Sequence, residues 1–273
     1  MDVRLLGTGS ADGWPNPFCT CASCEAQRTA GVVRGQTAAL VRTSAGSVLV
    51  DAGPEAMAAA TRQGESLADL RAVLVTHTHA DHFGPQLLLF RSWVTAEPLD
   101  VVGPADVVEE ARRWVAPDAA VRFHPVVAGE PVEVAGLDVR ALPAAHRVLD
   151  DGDSVLLDLT STDDGARLLW ACDTGPWPSP WLESVRGAAY DLVLVEETFG
   201  DRADLGAGHL HLETFADLLA GLREVGAVTD ATEVVAVHLS HHNPPEAELG
   251  TRLAAVGATA GRDGQVLVVR GGS

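Results

Sequence analysis

Short apolar runs bounded by turn residues recur along the whole chain and set its predicted elements. Val3-Arg4-Leu5-Leu6 reads as a first strand that runs into Gly7-Thr8-Gly9-Ser10-Ala11-Asp12-Gly13. Further strands are expected at 38–42, 48–51, 72–75, 99–102, 137–142, 168–171, 192–195, 234–237 and 265–269. Helical patterns fall between them: around 25–29, after Pro54, over 86–94, and from Pro104 to before Pro117. Another begins at 208–212 and runs through Leu222, and a last one precedes the closing strand. The stretch from Arg122 to Thr160 is β-rich. No repeat, linker or compositional break interrupts the alternation, so a single α/β domain over 1–273 is expected.

The polar residues that follow several strands carry the chemistry. Directly after 72–75 comes Thr76-His77-Thr78-His79-Ala80-Asp81-His82, with four metal-ligating side chains in six residues. In an extended segment alternate side chains share a face, which places His77, His79 and Asp81 together. The turn required before Gly84-Pro85, the opening of a helix, can bring His82 round beside Asp81. That is enough to start two adjacent metal sites. Other strands end in the same kind of residue: His146 after 137–142, Asp173 after 168–171, and His238-Leu239-Ser240-His241-His242 after 234–237. Asp51 also stands at a strand end, whereas His124 fits no ligand position.

Three of the four cysteines, Cys19, Cys21 and Cys24, lie in one loop at about 14–27. Three thiols this close suit a tetrahedral zinc that needs one more ligand. Cys172 lies in a strand pattern whose alternation turns it away from Asp173, as a small core residue. The Gly7 to Gly13 stretch is not a dinucleotide loop, because Asp stands at position 12 and a Pro- and Cys-rich loop follows instead of a helix.

The H-x-H-x-D-H pattern at 77–82 resembles the metallo-β-lactamase superfamily. The resemblance implies a four-layer αββα sandwich with a dinuclear metal site at one edge. It implies His77, His79 and His146 for the first ion, Asp81, His82 and His238 for the second, and Asp173 as the bridge. Asp51 is implied as a support for one ligand. With Gly7-Thr8-Gly9, Ala11, Gly13 and the Cys loop, the chain is most similar to the phosphoribosyl cyclic phosphodiesterase and ribonuclease Z-like branch. That branch implies a structural zinc on Cys19, Cys21, Cys24 and His241, with His242 as a rival for the last place. It also implies His209 as general acid or electrostatic stabiliser, with His211 as competitor.

The function so implied is dinuclear-metal hydrolysis, with Asp81 and Asp173 holding the ions and water as nucleophile. The expected substrate is a small cyclic or nucleotide-like phosphate ester. A lactonase or thioesterase is the alternative, and a tRNA-processing nuclease or a non-catalytic metal-binding protein ranks below it. Zinc suits the ligands of both active-site ions, and manganese or iron would also be accepted. Trp14, Trp177 and Trp181 are candidates for the pocket mouth.

Charge narrows the partners. The chain has 38 acidic and 19 basic residues, a formal net charge of −19. Every basic residue is Arg, so lysine Schiff-base chemistry and a P-loop lysine are excluded. Without a basic run, nucleic acid is not expected as a partner, whereas a small anionic ester is. No apolar run reaches the roughly 18 residues of a membrane span, and no signal peptide is evident. A cytoplasmic, bacterial protein is expected, with a homodimer left open.

Overall fold

The computed structural model describes residues 1–149 and 153–271. The expected β-rich stretch and single domain therefore include residues 150–152 and 272–273, which lie outside the described residues. The first half of the chain supplies β1 (Asp2–Gly7), β2 (Ala38–Thr43), β3 (Gly46–Val50), β4 (Leu70–Leu74), β5 (Leu99–Gly103) and β6 (Val121–Pro125). The second half supplies β7 (Pro131–Val134), β8 (Leu137–Pro143), β9 (Val155–Ser161), β10 (Arg167–Ala171), β11 (Leu192–Glu196), β12 (Glu233–Val237) and β13 (Thr259–Ala260). The last strand, β14 (Val266–Val268), returns to pair with β1. Two seven-stranded sheets result, ordered β14-β1-β2-β3-β4-β5-β6 and β13-β12-β11-β10-β9-β8-β7.

Among the described residues seven α-helices accompany them: α1 (Ala22–Ala30), α2 (Ala56–Arg62), α3 (Gln86–Ser92), α4 (Ala105–Arg112), α5 (Ser179–Ser184), α6 (Leu212–Glu224) and α7 (Glu246–Ala255). Strand alternation sorts the apolar side chains into three layers. Val3, Leu5, Val48, Val50, Leu157, Leu168, Trp170, Leu194 and Val235 fill the space between the sheets. Leu6, Leu40, Leu49, Val73 and Val101 point the other way, onto Ala56, Ala59, Leu87 and Val107 of α2 to α4. Leu169, Val193 and Val234 face Phe215, Leu219, Leu222, Leu249 and Leu253 of α6 and α7. Three apolar seams between four layers make the αββα sandwich expected from the sequence.

Strand direction decides where chemistry can gather. β3, β4, β5 and β6 run parallel in one sheet, and β10, β11, β12 and β13 run parallel in the other. Their C-terminal ends therefore emerge along one edge of each sheet, the usual place for a site in such folds. Asp51, Thr76, Asp173, Thr198 and His238 all follow these ends. Asp51, Asp173 and His238 share an unusual backbone, with φ of 51°, 54° and 55°. Left-handed conformations in non-glycine residues cost on the order of 1–3 kcal/mol each, and they persist where packing and bonding fix them.

Two loops are clamped together at this edge. Ala52 N–H bonds the His82 carbonyl at 2.7 Å, and Gly84 N–H bonds the Ala52 carbonyl at 2.6 Å. Gly53 permits the approach, because a Cβ there would lie 2.0 Å from the Asp81 carbonyl oxygen. Any side chain at 53 would force the metal motif away from Asp51.

Candidate metal centre

β4 ends at Leu74, so 77–82 is a loop and not the strand end that alternation suggested. A turn performs the convergence instead: His82 and Phe83 N–H both bond the His79 carbonyl, at 3.0 and 2.9 Å. This folds His82 back beside Asp81, as the Gly84-Pro85 signal required. From the opposite sheet, Ala145 N–H bonds the Thr174 carbonyl at 2.8 Å, joining the His146 and Asp173 loops.

Among the described residues three groups of potential ligands share Asp173; one joins it to Glu196, His209 and His238, and the other two, with Asp81 beside His82 and His238, have the expected make-up. In the first, His77 Nε2 and His146 Nε2 each lie 3.0 Å from His79 Nδ1, and each lies 3.4 Å from Asp173 Oδ2. In the second, His82 Nε2 lies 3.1 Å from Asp81 Oδ2 and 3.3 Å from Asp173 Oδ2. His238 Nε2 completes it, 3.4 Å from Asp81 Oδ2 and 3.2 Å from Asp173 Oδ1. A tetrahedron with metal–ligand bonds of about 2.0–2.2 Å has edges of roughly 3.3–3.6 Å. Four of the eight separations fall in that range and the other four, at 3.0–3.2 Å, are slightly shorter, so the donor atoms converge at close to metal-binding spacing.

The protonation pattern fits as well. His82 Nδ1–H donates to Asp51 Oδ2 at 2.9 Å, and its buried Nε2 has no hydrogen-bond partner. Burial opposes protonation of His82, but the Asp173 and Asp51 carboxylates outweigh it and raise its pKa well above the ordinary value, so this position calls for positive charge. His146 Nδ1–H donates to the Gly208 carbonyl at 2.9 Å, which again directs Nε2 inward. Burial and the neighbouring His82 lower the His77 pKa to about 4, so its imidazole is neutral near pH 7. Burial opposes ionisation of Asp81, yet hydrogen bonds from His238 and His82 outweigh it and hold the carboxyl well below its usual range.

Behind these ligands stand two carboxylates in matching roles. Asp51 holds His82 directly and reaches His77 through Thr76, whose hydroxyl donates to Asp51 Oδ1 at 3.0 Å and lies 2.9 Å from His77 Nδ1. Asp51 also accepts from Trp170 Nε1 at 3.0 Å. Glu196 holds His209 Nδ1 at 2.7 Å and reaches His238 through Thr198, whose hydroxyl donates to Glu196 at 2.6 Å and lies 3.0 Å from His238 Nδ1. Thr174 and Gly175 N–H also bond Glu196, at 2.7 and 2.9 Å. Asp51 thus has the supporting place the resemblance implied. Sequence reasoning assigned no role to Glu196, Thr76 or Thr198, although Glu196 ends a buried strand as Asp51 and Asp173 do.

His209 sits outside the helix that sequence placed it in, since α6 begins at Leu212. Thr198 and Phe199 N–H both bond the carbonyl of buried Leu210, at 3.1 and 2.9 Å, and this clamp sets His209 against Glu196. Its Nδ1 lies 3.7 Å from Asp173 Oδ1. Burial alone would lower the His209 pKa, but Glu196 and Asp173 outweigh it and raise it to about 9. His211 caps α6 and joins none of the metal-ligating clusters among the described residues.

Cys172 corrects the alternation argument. It is a buried member of the inter-sheet layer, as expected, but its Sγ lies within 4.8 Å of ligand atoms of His82, Asp173 and His238. The left-handed turn at Asp173 returns the next side chain to the end of that layer, so Cys172 forms part of the floor of the site. Trp14 is also corrected: it is fully buried in the layer under α6 and α7, away from any mouth. Trp177 is partly buried there and donates to the Thr174 hydroxyl, while Trp181 lines a cavity beside His146. His124 pairs with Asp100 at 2.7 Å, a structural role.

A second cluster lies apart from the first. Ligand atoms of Cys19, Cys21, Cys24 and His241 all fall within 4.8 Å of one another, and His242 is not among them. Cys21 caps α1 and Cys24 lies in its first turn, so the helix start gathers two of the thiols. Burial opposes ionisation of Cys21, but hydrogen bonds from Cys24 N–H, His241 and Cys19 prevail and lower its pKa to about 6. A partly ionised three-thiol, one-imidazole set has the composition of a tetrahedral zinc site. No helix among the described residues is long and apolar enough to cross a membrane.

Comparison with known proteins agrees with this geometry. Residues 47–246 match the profile of the beta-lactamase superfamily domain. A ribonuclease Z of Mycobacterium bovis is 27% identical over 267 residues, covering 89% of this chain and 86% of its own. Zinc-bound PqqB from Methylobacterium extorquens superposes with a TM-score of 0.77 at 21% identity, over 98% of this chain and all of its own. A diphosphatase from the PhnP family superposes with a TM-score of 0.74 at 22% identity, over 98% and 97%. The matched profile spans the whole stretch that builds the two-cluster site, and the chain belongs to the beta-lactamase superfamily as a metal-dependent hydrolase of the metallo-β-lactamase fold.

Proposed function

We propose that the protein is a phosphodiesterase acting on a small phosphate ester at a dinuclear centre. His77, His79 and His146 would hold one ion and Asp81, His82 and His238 the other, with Asp173 shared between the two groups. Cys19, Cys21, Cys24 and His241 hold a structural zinc. The observation that carries the reading is His209, an imidazole held by Glu196 at 2.7 Å with its Nδ1 3.7 Å from the shared Asp173. An alkoxide leaving from phosphorus needs a proton, and His209 is placed to deliver it. Bound divalent ions lower the pKa of water and offset charge on the reacting oxygens. The chain's own part is to hold each ligand in the correct tautomer through Asp51 and Glu196, and to keep His209 charged.

Steady-state assays of metal-replete protein with bis(p-nitrophenyl) phosphate and with a lactone panel test this. Turnover of the phosphodiester is expected; activity confined to lactones or thioesters would reject it. The likeness to ribonuclease Z removes the ground for excluding nucleic acid and favours a second reading, a nuclease for transfer-RNA precursors. Cleavage of a precursor transcript at rates above those on small diesters would establish that reading instead.

A further inference from the structure

A cavity of about 790 Å³ opens beside His146. That lies within the range of about 300–1,000 Å³ typical of pockets for organic ligands, far more room than a phosphoryl group needs. Its wall comes from the 126–128 turn after β6, the 143–147 segment at the end of β8, the start of β9, and α5. Val126, Ala144 and Val155 contribute buried apolar surface. Trp181 adds an aromatic face, and no residue of its helix is buried, so the indole is not consumed by core packing.

The charges around this space are as informative as its apolar walls. Asp106 and Asp153 line it together with Arg147. Asp106 accepts from the Thr78 hydroxyl at 3.0 Å, and Asp153 accepts from Val148 and Leu149 N–H at 2.9 and 2.7 Å. A second phosphate placed there would meet two carboxylates against one guanidinium, Arg147, on a chain whose net charge is already −19.

We propose that this cavity receives a neutral, ring-bearing substituent of the ester, stacked on Trp181. The preferred substrate is then a phosphodiester with a single anionic centre, in preference to a diphosphate or a polyanion. The inference rests on the phosphodiesterase reading of the metal centre.

Calorimetric titration of metal-replete protein with three phosphonate monoesters tests it without requiring turnover. Phenyl methylphosphonate should bind about tenfold more tightly than methyl methylphosphonate, the gain expected of one aromatic stack with its buried area. The 4-carboxyphenyl ester should bind more weakly than the phenyl ester. Trp181→Ala should reduce the phenyl-to-methyl ratio to about threefold or less. Its affinity for the methyl ester and its metal content should be unchanged. Equal binding of phenyl and methyl esters, a ratio unaffected by Trp181→Ala, or a carboxyphenyl ester binding as tightly as phenyl would each overturn the proposal alone. If no phosphonate bound at all, the phosphodiesterase reading would fall with it.

Discussion

Glu196→Gln isolates the role of the carboxylate behind His209. Glu196 is fully buried and accepts from four groups: Thr174 N–H, Gly175 N–H, the Thr198 hydroxyl and His209 Nδ1. Gln keeps the shape and one acceptor but removes the charge, so the largest force raising the His209 pKa disappears. In the native protein the acid form is present below the raised pKa of about 9 and is lost as pH rises through it. If the variant returns His209 to an ordinary value near 6.5, the protonated fraction at pH 8 falls from about nine-tenths to about 3%. Turnover of a diester with an alkoxide leaving group should then drop roughly 30-fold at pH 8, and much less at pH 6. The assay is kcat against pH for an alkyl nucleoside diester, with p-nitrophenyl diesters as control, since nitrophenolate departs without a proton. Metal content by elemental analysis shows whether His238 has kept its ion despite the altered Thr198 contact. An unshifted alkaline limb in a fully metallated variant would refute the assignment of His209 as proton donor.

Three further outcomes are expected. Asp51→Asn should lower stability by about 2–6 kcal/mol in urea unfolding, because the amide can satisfy only part of what Thr76, His82 and Trp170 donate, leaving about two buried donors unpaired at about 1–3 kcal/mol each. The same variant should weaken metal binding about 10–100-fold by competition with a chelator, the usual scale for loss of such support. His241→Ala should release about one zinc per chain and lower the melting temperature while both active-site ions remain; unchanged zinc would reject the Cys-loop site. Leu157→Ala, in the seam between the sheets, should cost about 2–5 kcal/mol without altering metal stoichiometry.

The apolar runs made most strands legible, because the central ones, such as β5, β9 and β11, are buried on both faces and show as continuous hydrophobic stretches, while the order of layers came from the resemblance carried by 77–82. β13 and α5 escaped notice: one has two residues, and the other lacks a buried face to give it a period. The candidate ligands were readable because they follow strand ends and because 77–82 is dense in donor groups. Less of their geometry was readable. Alternation put His77, His79 and Asp81 on one strand face, but the turn at 79–83 gathers them. It also turned Cys172 away from a site whose floor it forms, since sequence carries no mark of the left-handed backbone at Asp173. His241 and His242 are indistinguishable as letters; only the position of α1 and its thiols separates them.

The supporting carboxylates show why such residues stay hidden in a single chain. Each lies at a C-terminal strand end, Asp51 after β3 and Glu196 at the close of β11, in opposite sheets. Each holds one histidine directly and a second through a threonine hydroxyl. In sequence they are ordinary acidic residues beside hydrophobic runs, and their partners stand up to 119 positions away, as Trp170 does from Asp51. What sets them apart is burial with a histidine as the ion-pair partner, His82 for Asp51 and His209 for Glu196. Each carboxylate acts one step on, through the histidines and threonines it holds. For Asp51 that step leads through His82 and His77 to the two metal clusters. For Glu196 it leads to His238 on one side and the proton of His209 on the other. One residue thus couples the second ion's ligand to the acid, so substitutions at Glu196 should perturb metal affinity and the pH profile together, whereas those at Asp51 should affect metal binding and stability and leave the alkaline limb in place.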